Sequence, residues 1–364
     1  MGDSNFDEVP VDLNFNIDEY VNKYINEDDI IYNPISSLDL DSPYINTEHI
    51  LNTPGFTNDK LNTHEYCSLH LNIQSLPAKF EKLKLLIHKL SSQNIYLDFI
   101  MLCETFLTDN IAQQFSIPGY NFLSKSRPNS ARGGVAIYIK SEHNFIERGD
   151  IAINNPGVFE SVFIEIKSSK SNTIVGEIYR VPNTNEIQTI GMYNTIVENI
   201  KNFNGNIILG TDQNFDYIKI EQHKNIEELL SIFITNGLIP TITKPTRITH
   251  STATLIDNIY VSTKNNTSIC SAILCEDISD HLPIITCIGK IKPKPKKEPL
   301  TFKTRYMTVD IISKIANEIK IRNWNYLDNL DLNHAYTLLS DELSKIIDSY
   351  APEKIISIPY MIHG

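Results

Sequence analysis

Four acidic residues share one placement, at or beside an apolar run that predicts a buried strand. Glu104 follows LDFIMLC, Asp212 closes GNIILGTD, Asp257 lies within TLIDNIY, and Asp280 precedes His281 in EDISDHLPII. An ionised carboxylate is costly in such a place unless it has a partner. One acid of this kind is more often a turn or cap residue, but four of them beside small polar side chains or a histidine indicate a site.

These residue types suit metal-dependent cleavage of a phosphodiester. Mg²⁺ prefers oxygen ligands and is typically held by one or two carboxylates together with water. Hydrolysis also needs a group that activates water and a cation that stabilises charge on the phosphate oxygens. Asp212 and Asn214 stand at i and i+2, on one side of an extended segment, where one could align the water and the other hold the phosphate. A carboxylate partner, with Asp257 as the candidate, would fix the tautomer of His281 and let it donate to a phosphate oxygen.

Alternating strand and helix patterns between residues 64 and 290 provide the frame for these side chains. YCSLHLNI alternates as a strand does, AKFEKLKLLIHKLS carries its apolar residues on one helical face, and LDFIMLC suits a strand buried on both sides. NIEELLSIFITNGL predicts a helix that ends at Gly237. Hairpin-like strand runs mixed with strand–helix units predict an α/β fold of two mixed sheets packed face to face, with helices outside.

The flanking segments differ from this body in charge. Residues 1–63 contain 13 acidic and two basic residues and predict an acidic, mostly disordered leader. The rest of the chain is therefore close to neutral, and the net charge of −12 does not exclude a nucleic-acid partner. Residues 291–305 predict a basic, proline-rich linker, and residues 306–364 predict a helical segment.

Several classes of protein do not fit the sequence. No apolar run approaches the roughly 18–20 residues that cross a bilayer, so we expect no membrane span. The N-terminus lacks the basic and apolar regions of a secretory signal. The five cysteines are odd in number and none has C-x-x-C spacing. We therefore expect buried thiols in a reducing compartment and no zinc site.

A series of short motifs carries a resemblance to a known family. LHLNIQSL, LCETFL, RGGVAIYI, IYRVPN, ILGTDQNFD, PTRIT, TLIDNIYV and SDHLPI follow one another in that order. Over about residues 64–290 the chain resembles the endonuclease/exonuclease/phosphatase superfamily. Within it, the chain is most similar to the apurinic-type endonuclease domain of non-LTR (LINE-like) retrotransposon polyproteins. The resemblance implies a four-layered α/β sandwich with its site at one end of the two sheets. It also makes residues 306–364 similar to the linker that precedes the reverse transcriptase in such polyproteins.

The resemblance implies a metal site and a water-activating pair. Glu104 matches the main Mg²⁺ ligand of the family, and Asn72 and Asp280 match residues near the metal. Asp212 and Asn214 match the D-x-N pair that orients water and phosphate. Mn²⁺ is expected to substitute for Mg²⁺.

Five further residues are implied in catalysis or substrate binding. Tyr179 matches the tyrosine that contacts the phosphate. Asp257 matches the acid that orients the histidine, and His281 matches the histidine on the phosphate. Arg180 and Arg247 are candidate substrate-binding residues that would contact phosphates.

The implied activity is that of a Mg²⁺-dependent endonuclease that nicks one DNA strand and leaves a 3′-OH. By resemblance, that end would prime reverse transcription of an element's RNA, which a downstream polymerase absent from this sequence would bind. DNA is thus the expected partner, and the oligomeric state is left open. We expect an intracellular protein that acts in the nucleus, although the sequence carries no clear targeting signal.

Two departures from the family pattern bear on substrate preference. The family often has Gly-Asp-Phe-Asn where this chain has Thr211-Asp212-Gln213-Asn214, and Asn258 replaces a frequent histidine after Asp257. The alternatives are an abasic-site nuclease or another phosphoesterase of the same fold. A third alternative, of another class, is a decayed, inactive copy that binds a partner through its acidic leader.

Overall fold

The computed structural model of the protein describes residues 42–57, 60, 64–108, 110–128, 130, 132–169, 171–249, 251–263, 267–290, 300–305 and 307–358. Its body consists of two mixed β-sheets packed face to face, with helices on the two outer sides. The predicted fold class, a four-layered α/β sandwich, is confirmed.

Seven strands of the described residues form the first sheet, which supplies one wall of the inter-sheet core. In spatial order the strands are β1 (Tyr44–Ile45), β14 (Thr267–Leu274), β15 (Ile284–Lys290), β2 (His64–Asn72), β3 (Phe99–Cys103), β5 (Val135–Lys140) and β4 (Tyr120–Lys125). Strands β2 and β3 run parallel, as β1 and β14 do, and the other neighbours are antiparallel.

The second sheet faces the first and is formed by six strands in the part of the chain that the structure describes. In spatial order the strands are β10 (Ile239–Pro240), β13 (Asp257–Ser262), β9 (Asn206–Asp212), β8 (Thr173–Arg180), β7 (Phe159–Ile166) and β6 (Phe145–Glu147). Strands β8 and β9 run parallel and are joined through a crossover helix, and the other neighbours are antiparallel. A small hairpin pairs β11 (Arg247–Ile248) with β12 (Ala253–Thr254).

Amphipathic helices cover the outer faces of both sheets. Helix α1 (Leu76–Ser92) starts at Ser75, whose Oγ accepts from the backbone N–H of Ala78, and packs its buried leucines on the first sheet. Helices α2 (Glu186–Ile200) and α3 (Lys224–Thr235) cover the second sheet. Gly237 follows α3 with φ of 77°, a left-handed conformation that glycine adopts without a steric penalty, as predicted for the helix end.

The segment before β2 corrects one predicted boundary. Residues 42–57, placed in the disordered leader, form β1 and a 3₁₀ turn (Thr47–Asn52), and bury Ile45, Ile50 and Phe56 against the first sheet. Apolar burial outweighs the acidic composition of the region as a whole. The prediction is thus wrong for this stretch, and residues 1–41 of the predicted leader lie outside the described residues.

The described residues after β15 contain two helices. Helices α4 (Val309–Ile321) and α5 (Leu332–Tyr350) lie within the segment for which the sequence predicts helices. Strand β16 (Leu300–Thr304), which falls within the predicted linker, pairs with β17 (Lys354–Ile358). Residues 291–299 of that linker lie outside the described residues. Among the described residues, no helix combines the length and apolar character needed to cross a membrane.

The cysteines correct a second expectation. Cys67 on β2 and Cys287 on β15 form a disulfide, with their Cα atoms 4.1 Å apart. Strand pairing places them directly opposite each other although 220 residues separate them in sequence, which no local spacing reveals. The expectation of thiols throughout is wrong for this pair, whereas Cys103, Cys270 and Cys275 form no disulfide.

A glycine makes room for polar side chains between the two sheets. A Cβ atom at Gly210 on β9 would lie 2.3 Å from Oε2 of Glu177 and 3.1 Å from Nδ1 of His70. Both of those side chains are fully buried, so neither can move aside into solvent. Glycine at this position therefore allows the sheets to enclose a charged pair.

We predict that Gly210→Ala lowers the free energy of unfolding by about 1–3 kcal/mol, because overpacking a filled core forces its neighbours to shift. Urea denaturation of the whole chain measures the change. Gly191→Ala is the matched control, since its Cβ would meet no atom within 4 Å on α2, and it should stabilise by about 0.5–1 kcal/mol. Equal effects of the two substitutions would contradict the close contact at Gly210.

Candidate active site

One row of residues across the second sheet forms the floor of the candidate site. In the strand register Tyr179 on β8 stands opposite Asp212 on β9, which stands opposite Asp257 on β13. Residues directly opposite each other in neighbouring strands project to the same face of a sheet. Three residues that lie far apart in sequence are thus brought side by side.

The first sheet contributes two more predicted residues, which meet this row. Asn72 ends β2, and its Nδ2 donates to Oε1 of Glu104 and to Oδ2 of Asp212, both at 2.8 Å. The hydroxyl of Tyr179 donates to the same Oε1 of Glu104 at 2.9 Å. The amide of Asn72 and the phenol of Tyr179 therefore both link the two sheets at this end of the sandwich.

Glu104 is directed into the site by an unusual backbone. Its φ is 50°, in the left-handed region that costs a non-glycine residue roughly 1 kcal/mol. Two hydrogen bonds hold this turn: the N–H of Ser75 donates to the carbonyl oxygen of Glu104 at 2.8 Å, and the N–H of Thr105 donates to that of Gly134 at 3.2 Å. Such strain is typical of functional positions.

The S-D-H loop completes the cluster. Nδ1 of His281 lies 2.9 Å from Oδ2 of Asp257, so the predicted histidine–carboxylate pair is present. Oγ of Ser279 accepts from the N–H of His281 and lies 2.6 Å from the carbonyl oxygen of Asn72, which ties this loop to β2. Oxygen atoms of Asp212 and Asp257 and a ring nitrogen of His281 all lie within 4.8 Å of one another.

The two predicted arginines have different surroundings. Arg247 donates from Nε and Nη2 to Oδ2 of Asp280, at 2.8 and 2.7 Å, and its own strand bridges to His281, so it borders the site. Arg180 is 2% exposed, and its guanidinium donates to the carbonyl oxygens of Asn214 and Thr184. Arg180 thus supports the loop of Asn214 from within, and the phosphate contact expected of it stays a prediction.

Asn214 occupies a tightly held turn after β9. Its φ is 49°, its N–H donates to Oδ1 of Asp212 at 3.1 Å, and its Nδ2 donates to the carbonyl oxygen of Arg180 at 2.7 Å. The side chain of Asp212 thus accepts from the backbone of Asn214, and the side chain of Asn214 donates to the backbone of Arg180. Both side chains of the D-x-N pair are therefore held in place at the end of β9.

A buried ion pair behind the site was missed by sequence reasoning. Nδ1 of His70 lies 3.0 Å from Oε2 of Glu177, and Nε2 lies 3.4 Å from Oδ1 of Asp257. Thr246 donates from Oγ1 to the other oxygen of Asp257. A sequence signal existed, because His70 and Glu177 precede Asn72 and Tyr179 by two residues and so share their faces.

Burial and neighbouring charges set the protonation of the two central acids. Burial and the charge of Asp257 raise the pKa of Asp212 to about 7, against the opposing effects of His281 and Asn72. Burial alone would raise the pKa of Asp257, but the charges and hydrogen bonds of His281 and His70 hold it below its usual range. At neutral pH Asp212 is thus close to its pKa, whereas Asp257 stays ionised.

The histidines respond in the opposite sense to burial. Burial alone would lower the pKa of His281, but Asp257, Asp212 and Asp280 raise it to about 9. For His70, burial is likewise outweighed by Glu177 and Asp257, and its pKa rises to about 10. Both imidazoles are therefore cationic at neutral pH and offset the charge of the buried carboxylates.

The donor atoms fit a hard divalent cation. Oxygen atoms of Glu104 and Asp212 are drawn together by the shared amide of Asn72. Oδ1 of Asp280 is buried and has no hydrogen-bond partner among the described residues. Carboxylate and amide oxygens are the ligands that Mg²⁺ prefers.

The two departures from the family pattern lie away from these groups. Thr211 donates from Oγ1 to the carbonyl oxygen of Asn258. The Asn258 side chain accepts from the N–H groups of Thr241 and Ile242 and donates to the carbonyl oxygen of Ile242. Both residues therefore connect β9 and β13 to the loop after β10.

We predict that Glu177→Gln lowers the free energy of unfolding at neutral pH by about 3–5 kcal/mol, because it leaves the charge of His70 buried beside one carboxylate fewer. A pKa raised from 6.5 to about 10 on folding means that His70 stabilises fully below pH 6.5 and progressively less as pH rises toward 10. The free energy of unfolding of the Glu177→Gln protein, measured by chemical denaturation, should therefore decline less between pH 6.5 and about 10 than that of the unchanged protein.

Glu147→Gln on the edge strand β6 provides the control. Glu147 pairs with Lys125, and both side chains are about 40% exposed, so loss of this pair costs about 1 kcal/mol or less. A Glu177→Gln protein as stable as the Glu147→Gln protein would argue against a charged His70.

Part of the chain matches a known family model. A family model described as endonuclease-reverse transcriptase matches residues 173–285, a stretch that contains Tyr179, Asp212, Asn214, Asp257 and His281. A search of curated proteins finds no match to the chain.

Several solved structures are similar in fold. The endonuclease domain of TRAS1, a telomere-specific non-LTR retrotransposon, is 14% identical with a TM-score of 0.49, over 63% of this chain and 99% of that one. A humanised TDP2 from D. rerio is 14% identical with a TM-score of 0.49, over 62% and 99%. The human Nocturnin catalytic domain is 13% identical with a TM-score of 0.45, over 63% and 94%. At these identities the likeness concerns chain topology alone.

The match of residues 173–285 to the endonuclease-reverse transcriptase family model confirms the resemblance found in the motifs.

Proposed function

We propose that this protein is a Mg²⁺-dependent endonuclease that nicks one strand of DNA and leaves a 3′-OH. One observation carries the proposal: the amide of Asn72 joins Glu104 to Asp212 where the Asp257–His281 pair also lies. Oxygen ligands, an acid that titrates near neutrality and a cationic imidazole are what phosphodiester hydrolysis requires.

Glu104, Asn72 and Asp280 would hold the divalent cation, for which Mn²⁺ would substitute. When bound, the cation supplies positive charge to the phosphate oxygens and the departing oxygen. The fit of these residues rests on the oxygen donor set and on the partnerless Oδ1 of Asp280.

Asp212 is the candidate group that activates water. Its two oxygens are fixed by the amide of Asn72 and the N–H of Asn214, so the carboxylate has one orientation. With a pKa of about 7, it is ionised in part at neutral pH and still basic enough to accept a proton from water. The Asn214 turn, supported by Arg180, holds the phosphate beside that water.

His281 is the candidate donor to a non-bridging phosphate oxygen. Asp257 engages Nδ1, which leaves Nε2 as the donor toward the substrate. Tyr179 and Arg247 would contact the phosphate from either side. Attack by water breaks the bond between phosphorus and the 3′ oxygen, so the products are a 3′-OH and a 5′-phosphate.

The proposed partner is therefore DNA, and the biological setting is target-primed retrotransposition. In that setting the 3′-OH primes synthesis on an element's RNA, which a downstream polymerase would hold, and the reaction takes place in the nucleus. The motif order and the endonuclease-reverse transcriptase match over residues 173–285 support this proposal.

We expect Asp212→Asn and His281→Gln each to slow nicking of supercoiled plasmid by about 10²–10⁴-fold, the usual contribution of a general acid or base. Nicking by the unchanged chain should stop on chelation, return with Mg²⁺ and yield ends that a DNA polymerase extends. Asp150→Asn, at an exposed partner of Arg148, should leave the rate unchanged.

Assays with other substrates distinguish the alternative activities that share this fold. Turnover of a duplex with an abasic site in preference to intact DNA would favour a repair nuclease, and turnover of inositol phosphates would favour a phosphatase. Nicking that survives both active-site substitutions would refute the site, and a metal-loaded chain with no turnover would favour the inactive copy.

The pH profile of nicking should be bell-shaped. The rate rises as Asp212 loses its proton, at or below pH 7 because a bound cation favours the ionised form. It falls as His281 loses its proton near pH 9. Asp257→Asn removes the charge that raises the pKa of His281, so the alkaline limb should move down toward pH 6.5. An alkaline limb that stays in place would assign it to another group.

A further inference from the structure

Three cysteines lie side by side at mid-strand positions of the first sheet, away from the candidate active site. In the strand register Cys270 on β14 stands opposite Cys287 on β15, which stands opposite Cys67 on β2. Opposed residues project to the same face. Cys287 therefore has two possible sulfur neighbours, one on each side, and the structure joins it to Cys67.

An imidazole completes the group on the Cys270 side. Nε2 of His64 lies 3.6 Å from Sγ of Cys270. One ligand atom each from His64, Cys270 and Cys287 all lie within 4.8 Å of one another. The residues come from the start of β2, the middle of β14 and the middle of β15, so only the folded sheet assembles them.

The backbone at Gly55 lies close against this group of side chains. The carbonyl oxygen of Gly55 accepts from Sγ of Cys270 at 3.4 Å, and a Cβ atom at Gly55 would lie 2.5 Å from Cβ of Cys270. The φ of Gly55 is 92°, so glycine meets both the conformation and the contact. The backbone at Gly55 thus forms a wall of the group, and Cys270 is half-buried.

The residue types of this group suit a metal ion. A metal binds the neutral form of an imidazole and the deprotonated form of a thiol. A coordinated thiol gives up its proton to the metal.

We propose that His64, Cys270 and Cys287 bind a Zn²⁺ ion once the Cys67–Cys287 disulfide is reduced. Two thiolates and an imidazole are ligands of the soft and borderline metals, and a water molecule takes the fourth tetrahedral position. Cys287 can form the disulfide with Cys67 or bind the metal together with Cys270, but it cannot do both. The redox state of Cys67 therefore decides whether the metal site exists.

The proposed sequence of steps is balanced by a reductant of the dithiol class. The dithiol gives two electrons and two protons to the Cys67–Cys287 bond and becomes a disulfide itself. Zn²⁺ then displaces one proton each from the thiols of Cys270 and Cys287, and both protons pass to solvent. The ion would link β2, β14 and β15 and, through Gly55, the segment before β2.

Cobalt spectroscopy tests the proposal on the whole chain. The protein is reduced with dithiothreitol, freed of it under nitrogen and titrated with Co²⁺, whose bonds to thiolate sulfur give charge-transfer bands in the near ultraviolet. We expect one sulfur-ligated Co²⁺ per chain in the reduced protein, its displacement by Zn²⁺, and no such band in the oxidised protein. Oxygen-liganded Co²⁺ at the candidate active site gives no thiolate band, so the two sites are distinguished.

Variants define the ligands. Cys270→Ser should abolish the band, His64→Gln should weaken binding, and Cys275→Ser, at a half-buried cysteine outside the group, should retain it. Cys67→Ser keeps all three proposed ligands and removes the competing sulfur, so it should bind Co²⁺ without prior reduction. This last variant tests the proposal even if Cys270→Ser fails to fold.

Two results would overturn the site. One is the absence of a thiolate band in both the reduced protein and the Cys67→Ser protein, each shown to be folded by circular dichroism. The other is a band that persists in Cys270→Ser, which would place the sulfur ligands elsewhere.

Discussion

Asp212 and Asp257 stand opposite each other on neighbouring strands, both at most 1% exposed, and the rest of the site is arranged around that juxtaposition. Two carboxylates buried side by side repel each other and lose hydration, so the fold must supply cations and hydrogen-bond donors in return. His281 and His70 flank Asp257, and the amide of Asn72 contacts Asp212. Burial, together with the repulsion that remains, raises the pKa of Asp212 to about 7.

That requirement explains features distant from the two acids. His70 needs Glu177 to balance its own charge, and Glu177 fits between the sheets only because residue 210 is a glycine. Thr246 contacts Asp257 from a loop that the segment before β2 holds, because Ser42 accepts from the N–H of Thr243 and Tyr44 donates to the carbonyl oxygen of Pro245. The segment first taken as part of the leader thus supports the active-site end of the sandwich.

The chemistry of the first sheet changes along its strands. Asn72 ends β2 among oxygen ligands, whereas His64 at its start lies beside a sulfur. Both groups arise from the same rule, that residues opposed across strands share a face. At the active-site end the strand termini bring oxygen-bearing side chains together, and in the middle of the strands the register brings cysteines together. A hard cation and a soft one would accordingly bind at different positions along β2.

The alternation of strands and helices, the order of the motifs and the carboxylates and histidine at strand ends could be predicted from the sequence. Periodicity and strand-end placement are local properties, so a single sequence reveals them. Tertiary structure alone decided which residues oppose one another: the row of Tyr179, Asp212 and Asp257, the His70–Glu177 pair, the inward turn of Arg180 and the disulfide of Cys67 with Cys287. Strand register joins distant residues such as Cys67 and Cys287, which are 220 positions apart, and it is set by the packing of whole sheets, which no local pattern encodes.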